Sequence, residues 1–263
     1  MLDFFGMKTV PFTREIDTNQ CFVSLSHKEA KARLEYTVKN RLVFLLTGEP
    51  GMGKTTIVRS LLHKLDTMHY RYEYICDSSL TPKLFYREIL ERFGVPCSTR
   101  PTEMKRQYRT LMLDMYEQDK KVPVIVLDEA HRFSETMLEE IRFLLNFKED
   151  SMSPLALVLI GQTTLRNQLK VRHLEAIDQR IQVRFQMGAL SEKETEEFIR
   201  HQEKISETPS DIFSGEAIQA IYNYTQGVPR KINTLASQAL LDAYIQGEKI
   251  VGEAHVNRVI NEL

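Results

Sequence analysis

The chain has 263 residues, of which 42% are hydrophobic and 27% are charged, and its formal net charge is −1. This length fits one large domain or a medium domain with a small one. The near-neutral charge argues against general nucleic-acid binding, without excluding a local basic surface. No window offers the ~18 uncharged apolar residues of a membrane span, and the charges close to the N-terminus do not fit a signal peptide. Cys21, Cys76 and Cys97 are far apart and lack metal-ligand spacing, which predicts reduced thiols of a cytosolic protein.

Strands and helices are predicted to alternate along most of the chain. Residues 1–25 form an irregular arm in this interpretation, anchored by Phe4, Phe5 and Phe12, and a helix over 28–39 follows. Apolar runs then predict strands over 42–46, 122–127, 155–160 and 181–185, and an alternating run predicts a strand over 70–75. Helical periodicity predicts helices after the first strand and over 82–93, 102–118 and 137–145. This alternation indicates an α/β fold in which helices cover both faces of a parallel sheet.

The sequence changes character after residue 188. Ser191 and Glu194 match a capping box that opens a helix. Helical periodicity without a strand of comparable strength continues over 214–226, 230–246 and 253–262. We therefore predict three parts, which are an arm over 1–25, an α/β core over 26–188 and a small all-helical lid over 189–263.

Residues 48–56 read GEPGMGKTT and fit the P-loop pattern between a buried strand and a helix. Glycines allow the tight turn that aims backbone N–H groups at phosphate oxygens. Lys54 would reach the β- and γ-phosphates, and the Thr55 hydroxyl would hold Mg²⁺. The flanking strand and helix disfavour a chance glycine-rich turn. The candidate nucleotide-binding residues of this loop are Gly48, Glu49, Pro50, Gly51, Met52, Gly53, Lys54, Thr55 and Thr56.

An acidic pair follows the predicted strand over 122–127, where the sequence reads VPVIVLDEAH. Asp128 lies at the carboxyl end of this strand, which is where open α/β sheets place ligands, and it would hold Mg²⁺ through water. Glu129 could polarise the water that attacks the γ-phosphate. A strand-end pair that merely faces solvent is the alternative.

Three further polar residues are candidates for the nucleotide site. Gln162 ends the segment LVLIGQ and could sense the γ-phosphate, although a simple strand-to-turn glutamine is an alternative. Arg180 is a candidate arginine finger for a neighbouring subunit, with Arg184 and Arg172 as rivals. Arg230, at the start of a predicted helix, could report the nucleotide state to the lid, since a cation gains nothing from the helix dipole there.

The order of GEPGMGKTT, VLDEAH, LIGQ, DQRI and GVPRKIN resembles AAA+ ATPases of the ExeA/GspA-like group, which is similar to the transposition ATPases TniB and TnsC. The opening DFFGMKTVPF resembles the N-terminal signature of this group, so the resemblance covers nearly the whole chain. It implies an AAA+ P-loop fold with a helical lid, ATP and Mg²⁺ as ligands, and an oligomer with nucleotide at its subunit interfaces. The implied roles are Walker A for Lys54 and Thr55, Walker B for Asp128 and Glu129, sensor 1 for Gln162, arginine finger for Arg180 and sensor 2 for Arg230.

The resemblance also separates functional classes within the group. Secretion members carry a membrane span and a periplasmic extension, whereas this sequence ends at Leu263, soon after the predicted lid. We therefore expect a slow ATPase, stimulated by assembly or a partner, that regulates DNA transposition in the bacterial cytoplasm at the nucleoid. ATP-bound rings or filaments on duplex DNA would recruit a transposase or target selector, and hydrolysis would disassemble them. A scaffold with negligible hydrolysis, a helicase loader and a secretion-associated ATPase are the alternatives.

DNA contacts in such an assembly would go to phosphates and would be salt-sensitive. The basic candidates lie on or before two predicted helices and are Lys83, Arg87, Arg100, Lys105, Arg106 and Arg109. A solvated helix face is the alternative for this set. A GTPase is disfavoured because the guanine motif N-K-x-D is absent. A small-molecule kinase is disfavoured because Glu129 suits the activation of water. A DEAH-type helicase is disfavoured because two motor domains would not fit in this length.

Overall fold

A computed structural model describes residues 1–13, 20–77, 79–149, 151–208 and 211–262 of the chain. The chain divides into two compact units. The first comprises Met1–Ser26, Gly51–Gly53 and Gly188–Leu263, and the second comprises His27–Pro50 and Lys54–Met187. Residues 14–19 of the predicted arm and Leu263 of the predicted lid lie outside the described residues. Within those residues, no helix combines the length and apolarity needed to cross a bilayer.

The second unit is built on a five-stranded sheet. Its strands are β1 (Val43–Thr47), β2 (Tyr70–Ile75), β3 (Val122–Leu127), β4 (Ala156–Gly161) and β5 (Val183–Gln186). They are ordered β2-β3-β4-β1-β5, and all paired neighbours run parallel. Every residue of β1 and β4 is buried, as continuous apolar runs predict for a sheet covered on both faces. The predicted parallel α/β fold is confirmed.

Twelve α-helices lie in the described part of the chain. In chain order they are α1 (Leu2–Phe5), α2 (Leu25–Asn40), α3 (Lys54–Leu62), α4 (Pro82–Arg92), α5 (Pro101–Glu117), α6 (Glu135–Leu144), α7 (Thr164–Leu169), α8 (Glu175–Asp178), α9 (Glu192–Ile205), α10 (Gly215–Thr225), α11 (Pro229–Gln246) and α12 (Glu253–Glu262). The predicted helices are all present. The short helices α1, α7 and α8 were not predicted, because one or two turns are too short to show helical periodicity.

Local capping chemistry fixes two of the predicted helix starts. The Thr81 hydroxyl accepts a hydrogen bond from the Leu84 N–H at the start of α4. At the start of α9, the Ser191 hydroxyl accepts a hydrogen bond from the Glu194 N–H, and the Glu194 carboxylate accepts one from the Ser191 N–H. These two bonds confirm the capping box.

The strand order places β4 between β1 and β3. Gly161, the last residue of β4, is in register with Thr47, the last residue of β1. Leu127, the last residue of β3, is in register with Leu159 of β4. The turns that follow β1, β3 and β4 therefore emerge side by side at the carboxyl edge of the sheet.

The N-terminal arm is part of the helical core of the first unit and is not wholly irregular. It opens with α1, and Phe5 and Phe12 are buried in the same cluster as residues of α9 to α12, whereas Phe4 is partly buried. The Phe12 N–H donates to Gln202 Oε1 (3.2 Å), and the Lys8 N–H donates to the Ser206 carbonyl (2.9 Å). Aromatic burial and backbone hydrogen bonds thus anchor the arm.

Gly227 in the first unit occupies a position that no larger residue can take. Its φ is +71°, and a Cβ built there would lie 1.9 Å from the Leu190 carbonyl oxygen. The two backbones are tied further, since the Leu190 N–H donates to the Gly227 carbonyl (2.9 Å). Gly247 has a similar φ of +75°, but a Cβ there would meet nothing within 4 Å.

We expect Gly227→Ala to destabilise the first unit much more than Gly247→Ala. The Gly247 variant carries only the left-handed strain of roughly 1–2 kcal/mol, whereas the Gly227 variant must also displace the Leu190 backbone and should lose more than about 4 kcal/mol. Urea denaturation followed by circular dichroism measures both losses. Equal losses in the two variants would contradict the described approach of Gly227 to Leu190.

Candidate nucleotide-binding site

The loop between β1 and α3 has the backbone geometry of a phosphate cradle. Gly51 and Gly53 both have a φ of +85°, a left-handed conformation that glycine adopts without steric cost. Helix α3 begins at Lys54, directly after the second of these glycines. The turn is therefore followed by a helix N-terminus, whose backbone N–H groups favour anions.

The Lys54 side chain lies against its own loop. The residue is only 9% exposed, and its Nζ donates to the carbonyls of Gly48 (2.8 Å) and Glu49 (3.0 Å). The ammonium group is thus held beside the loop in which phosphate oxygens are expected. Thr163, which follows Gln162, ties β4 to the same loop, since its Oγ1 donates to Glu49 Oε1 (2.7 Å).

Asp128 is a buried carboxylate that collects three hydrogen bonds. It is 3% exposed. Its Oδ2 accepts from Thr55 Oγ1 (2.9 Å) and from Tyr74 Oη, and its Oδ1 accepts from the Glu129 N–H (2.7 Å). Burial, followed by the hydrogen bond to Asp128, raises the pKa of Tyr74 well above its usual range, so the phenol remains a donor at neutral pH.

The donor set at this point fits Mg²⁺. A hydroxyl and a carboxylate are hard oxygen ligands, and Mg²⁺ is commonly held by one or two carboxylates together with water and substrate phosphates. Thr55 and Asp128 would supply the two protein groups. The described residues contain no cluster of three or more histidine, cysteine or acidic side chains that could hold a metal ion by themselves, so phosphate and water would complete the ligand shell.

Glu129 lies at the turn after β3 with an unusual backbone. Its φ is +56°, a left-handed conformation that is uncommon outside glycine and that clusters at functional sites. Its side chain is 41% exposed, and its Oε2 lies 3.6 Å from His131 Nε2. The carboxylate is therefore beside Asp128 in sequence and accessible to water.

Gln162 directly follows β4, between the turns that follow β1 and β3. Its backbone N–H donates to His131 Nδ1 (3.4 Å), and the residue is half-buried. The structure thus brings Lys54, Thr55, Asp128, Glu129 and Gln162 to one edge of one unit.

The candidate arginines differ in their described contacts and in their exposure. Arg184 is used within its own chain, because its Nη1 lies 2.7 Å from Asp178 Oδ1 and its Nη2 donates to the Asp178 carbonyl. Arg172 is exposed and Arg180, just after α8, is half-buried. Arg230 belongs to the first unit, in which its backbone N–H donates to the Gly51 carbonyl (3.3 Å).

Two of the basic candidates for DNA contacts are engaged in ion pairs. Lys105 lies 2.6 Å from the buried carboxylate of Glu140, and Arg106 lies 2.6 Å from Glu103. The remaining candidates are exposed and are Lys83, Arg87, Arg100 and Arg109. Arg109 also stacks over Phe147 at 6.0 Å.

Tyr74 and His131 were not predicted as site residues. The alternating sequence of β2 indicates that Tyr74 has a definite face, but not that β2 pairs with β3 beside Asp128. His131 is the last residue of the motif VLDEAH, but the motif does not indicate its contact with Gln162. That contact requires β4 to lie next to β3.

A model of the AAA domain family matches residues 37–169, a range that includes the P-loop, Asp128, Glu129 and Gln162. General secretion pathway protein A of Aeromonas hydrophila is 32% identical over 253 residues, which cover 94% of this chain and 46% of that protein. The chain therefore spans less than half the length of this relative.

Solved structures share the fold at low sequence identity. Cdc6p from Pyrobaculum aerophilum has a TM-score of 0.66 and 19% identity, with coverage of 91% of this chain and 67% of its own. The ORC1 protein of Aeropyrum pernix, solved in complex with DNA, has a TM-score of 0.68 and 17% identity, with coverage of 95% and 68%. Given the family match over the P-loop and both strand-end motifs, the chain belongs to the AAA domain family of AAA+ ATPases.

Proposed function

We propose that the chain is an enzyme that binds ATP with Mg²⁺ and hydrolyses it to ADP and phosphate. The observation that carries this proposal is the 2.9 Å hydrogen bond between Thr55 Oγ1 and Asp128 Oδ2, because it joins the P-loop hydroxyl to the strand-end carboxylate. When bound there, Mg²⁺ supplies positive charge that neutralises the β- and γ-phosphate oxygens.

The other residues of the site would have separate roles in binding ATP and in hydrolysing it. The Lys54 ammonium would exchange the carbonyls of Gly48 and Glu49 for phosphate oxygens. Glu129, which is partly exposed and adjacent to Asp128, would accept a proton from the attacking water. Gln162 would contact the γ-phosphate from the end of β4, and Arg230 would respond to the nucleotide from α11.

We expect Glu129→Gln to retain ATP binding and to lower kcat by about 10²–10⁴-fold, because the amide cannot accept the proton. Lys54→Ala should instead weaken binding of the ATP itself. Phosphate release and the binding of a fluorescent ATP analogue separate the two effects. Glu135→Gln is the matched control, since its carboxylate is 78% exposed on α6, and it should leave both quantities unchanged. Hydrolysis at the wild-type rate in Glu129→Gln would refute the assignment of the base.

We further propose that ATP-bound copies assemble on duplex DNA in the bacterial cytoplasm, at the nucleoid, and recruit a transposase or target selector. The order of the five motifs supports this, since it resembles the ExeA/GspA-like group, which is similar to TniB and TnsC. The ORC1 protein of similar fold was also solved with DNA. Hydrolysis would disassemble the oligomer. The finger from a neighbouring copy would be Arg180, because it belongs to the DQRI motif, whereas Arg172 and Arg184 lie outside it.

The DNA surface of such an assembly would rely on exposed cations. Lys105 is least suited to it, because leaving Glu140 would remove the cation paired with a nearly buried carboxylate. Lys83, Arg100 and Arg109 are better placed, and Arg106 would have to exchange Glu103 for phosphate. Phosphate contacts of this kind weaken steeply as the salt concentration rises.

Electron microscopy and sedimentation with duplex DNA test this assembly. We expect wild-type protein to form rings or filaments on DNA with a non-hydrolysable ATP analogue, and to lose them as salt rises. Lys54→Ala should not assemble. Arg180→Ala should bind the analogue yet show little ATPase activity, and mixing it with Lys54→Ala should restore some activity through hybrid interfaces. Equal ATPase activity with and without DNA, together with no assembly, would contradict the DNA proposal.

A secretion-associated ATPase is the second candidate function. The 32% identity to general secretion pathway protein A over 94% of this chain favours it. ATP hydrolysis and self-assembly without any response to DNA would support this candidate over transposition.

A further inference from the structure

His131 occupies the space between the turn after β3 and the end of β4. Its side chain is 11% exposed. Its Nδ1 accepts from the Gln162 N–H (3.4 Å), and its carbonyl accepts from Gln168 Nε2 (3.0 Å). On the other side of the ring, Nε2 lies 3.6 Å from Glu129 Oε2. One nearly buried imidazole therefore faces both the proposed base and the proposed phosphate sensor.

The hydrogen bond at Nδ1 determines what the ring presents to Glu129. A neutral imidazole has one acceptor nitrogen and one donor nitrogen. Because Nδ1 of His131 accepts the Gln162 N–H, the proton lies on Nε2, which faces the carboxylate of Glu129. The 3.6 Å separation is slightly too long for a hydrogen bond, but a small rotation of the 41% exposed Glu129 side chain would close it, and such contacts tighten as the reacting groups assemble.

The backbone of the His131 turn lies close to the end of β4. A Cβ built at Gly161 would lie 3.3 Å from the His131 backbone nitrogen and 2.8 Å from Leu165 Cδ2. The end of β4 therefore passes the His131 turn at a distance that any larger residue would disturb. Movement of the Gln162 backbone should consequently reach the imidazole, and through it Glu129.

We propose that His131 is a positioning residue that couples Gln162 to Glu129 and thereby regulates ATP hydrolysis. Its Nε2–H orients the Glu129 carboxylate so that the second oxygen is available to the attacking water. Its Nδ1 follows the position of the Gln162 N–H, so displacement of the β4 end changes the orientation of the base. The inference rests on the proposed ATPase function.

Three substitutions separate the two nitrogens. The amide NH₂ of His131→Gln can replace Nε2–H as a donor to Glu129. The amide oxygen of His131→Asn can replace Nδ1 as an acceptor but offers Glu129 no donor, and His131→Ala offers neither. We expect kcat to fall by about 10–100-fold in the Ala and Asn variants, as for other partners that orient reacting groups, with KM for ATP changed less than about threefold. His131→Gln should retain most of the activity.

His69→Ala is the matched control. That ring bonds Asp66 (2.7 Å) and is 71% exposed, and it precedes β2 at the opposite edge of the parallel sheet. The control variant should keep wild-type kcat and KM. Comparable losses in His69→Ala and His131→Ala, or equal losses of kcat and of ATP-analogue affinity in His131→Ala, would overturn the positioning role.

A double substitution identifies the residue through which His131 acts. If it acts through Glu129, His131→Ala should cost nothing further in a Glu129→Gln background, measured as single-turnover hydrolysis. Fully additive losses would overturn the inference. Loss of activity in Glu129→Gln without any loss in His131→Ala would refute the inference alone, whereas the absence of ATP hydrolysis from the wild-type protein would refute the proposed function.

Discussion

One buried carboxylate connects three segments of the fold at the carboxyl edge of the sheet. Asp128 is 3% exposed and accepts hydrogen bonds from Thr55, from Tyr74 and from the backbone N–H of Glu129. A buried charge is costly unless it is paired or hydrogen-bonded, so the P-loop helix, β2 and the turn after β3 must meet at this point. The sheet order adds β4 between β1 and β3, which brings Gln162 beside His131 in the turn that follows Asp128.

Features of the site that depend on short-range chemistry could be predicted from the sequence. Apolar runs predicted four of the five strands, and an alternating pattern predicted β2. The spacing of glycines before Lys54 predicted the turn and the following helix. The capping box at Ser191 involves residues three apart, and it is present. These predictions succeed because the interactions span a few residues, or because a strand buried on both faces must be apolar throughout.

Features that depend on which strands are neighbours could not be predicted. Tyr74 and Asp128 are far apart in the chain, and they meet because β2 pairs with β3 in register. The contact of His131 with Gln162 likewise requires β4 beside β3. The basic residues on α5 look alike in the sequence, yet Lys105 is paired with a buried Glu140 from α6. Tertiary pairing, which a single sequence does not specify, decides which of these charges remain available.

The proposed functions therefore depend on the structure to different degrees. The proposal of nucleotide hydrolysis rests on hydrogen bonds within one unit, and the family match covers the same residues. Assembly on DNA depends on surfaces that other copies would complete, and the exposed cations are its main physical support. The 32% identity to a secretion protein, over 94% of the chain, supports the second proposed role.

The central claim is that Thr55 and Asp128 together form the Mg²⁺ site for ATP. The most direct test is a Mg²⁺ titration of fluorescent ATP-analogue binding in the wild type, Thr55→Ala, Thr55→Ser and Asp128→Asn. Our account predicts that the Mg²⁺ concentration at half-saturation rises by about 10–100-fold in Thr55→Ala and Asp128→Asn and stays near the wild-type value in Thr55→Ser, which keeps the hydroxyl. An unchanged Mg²⁺ dependence in Thr55→Ala and Asp128→Asn would contradict it.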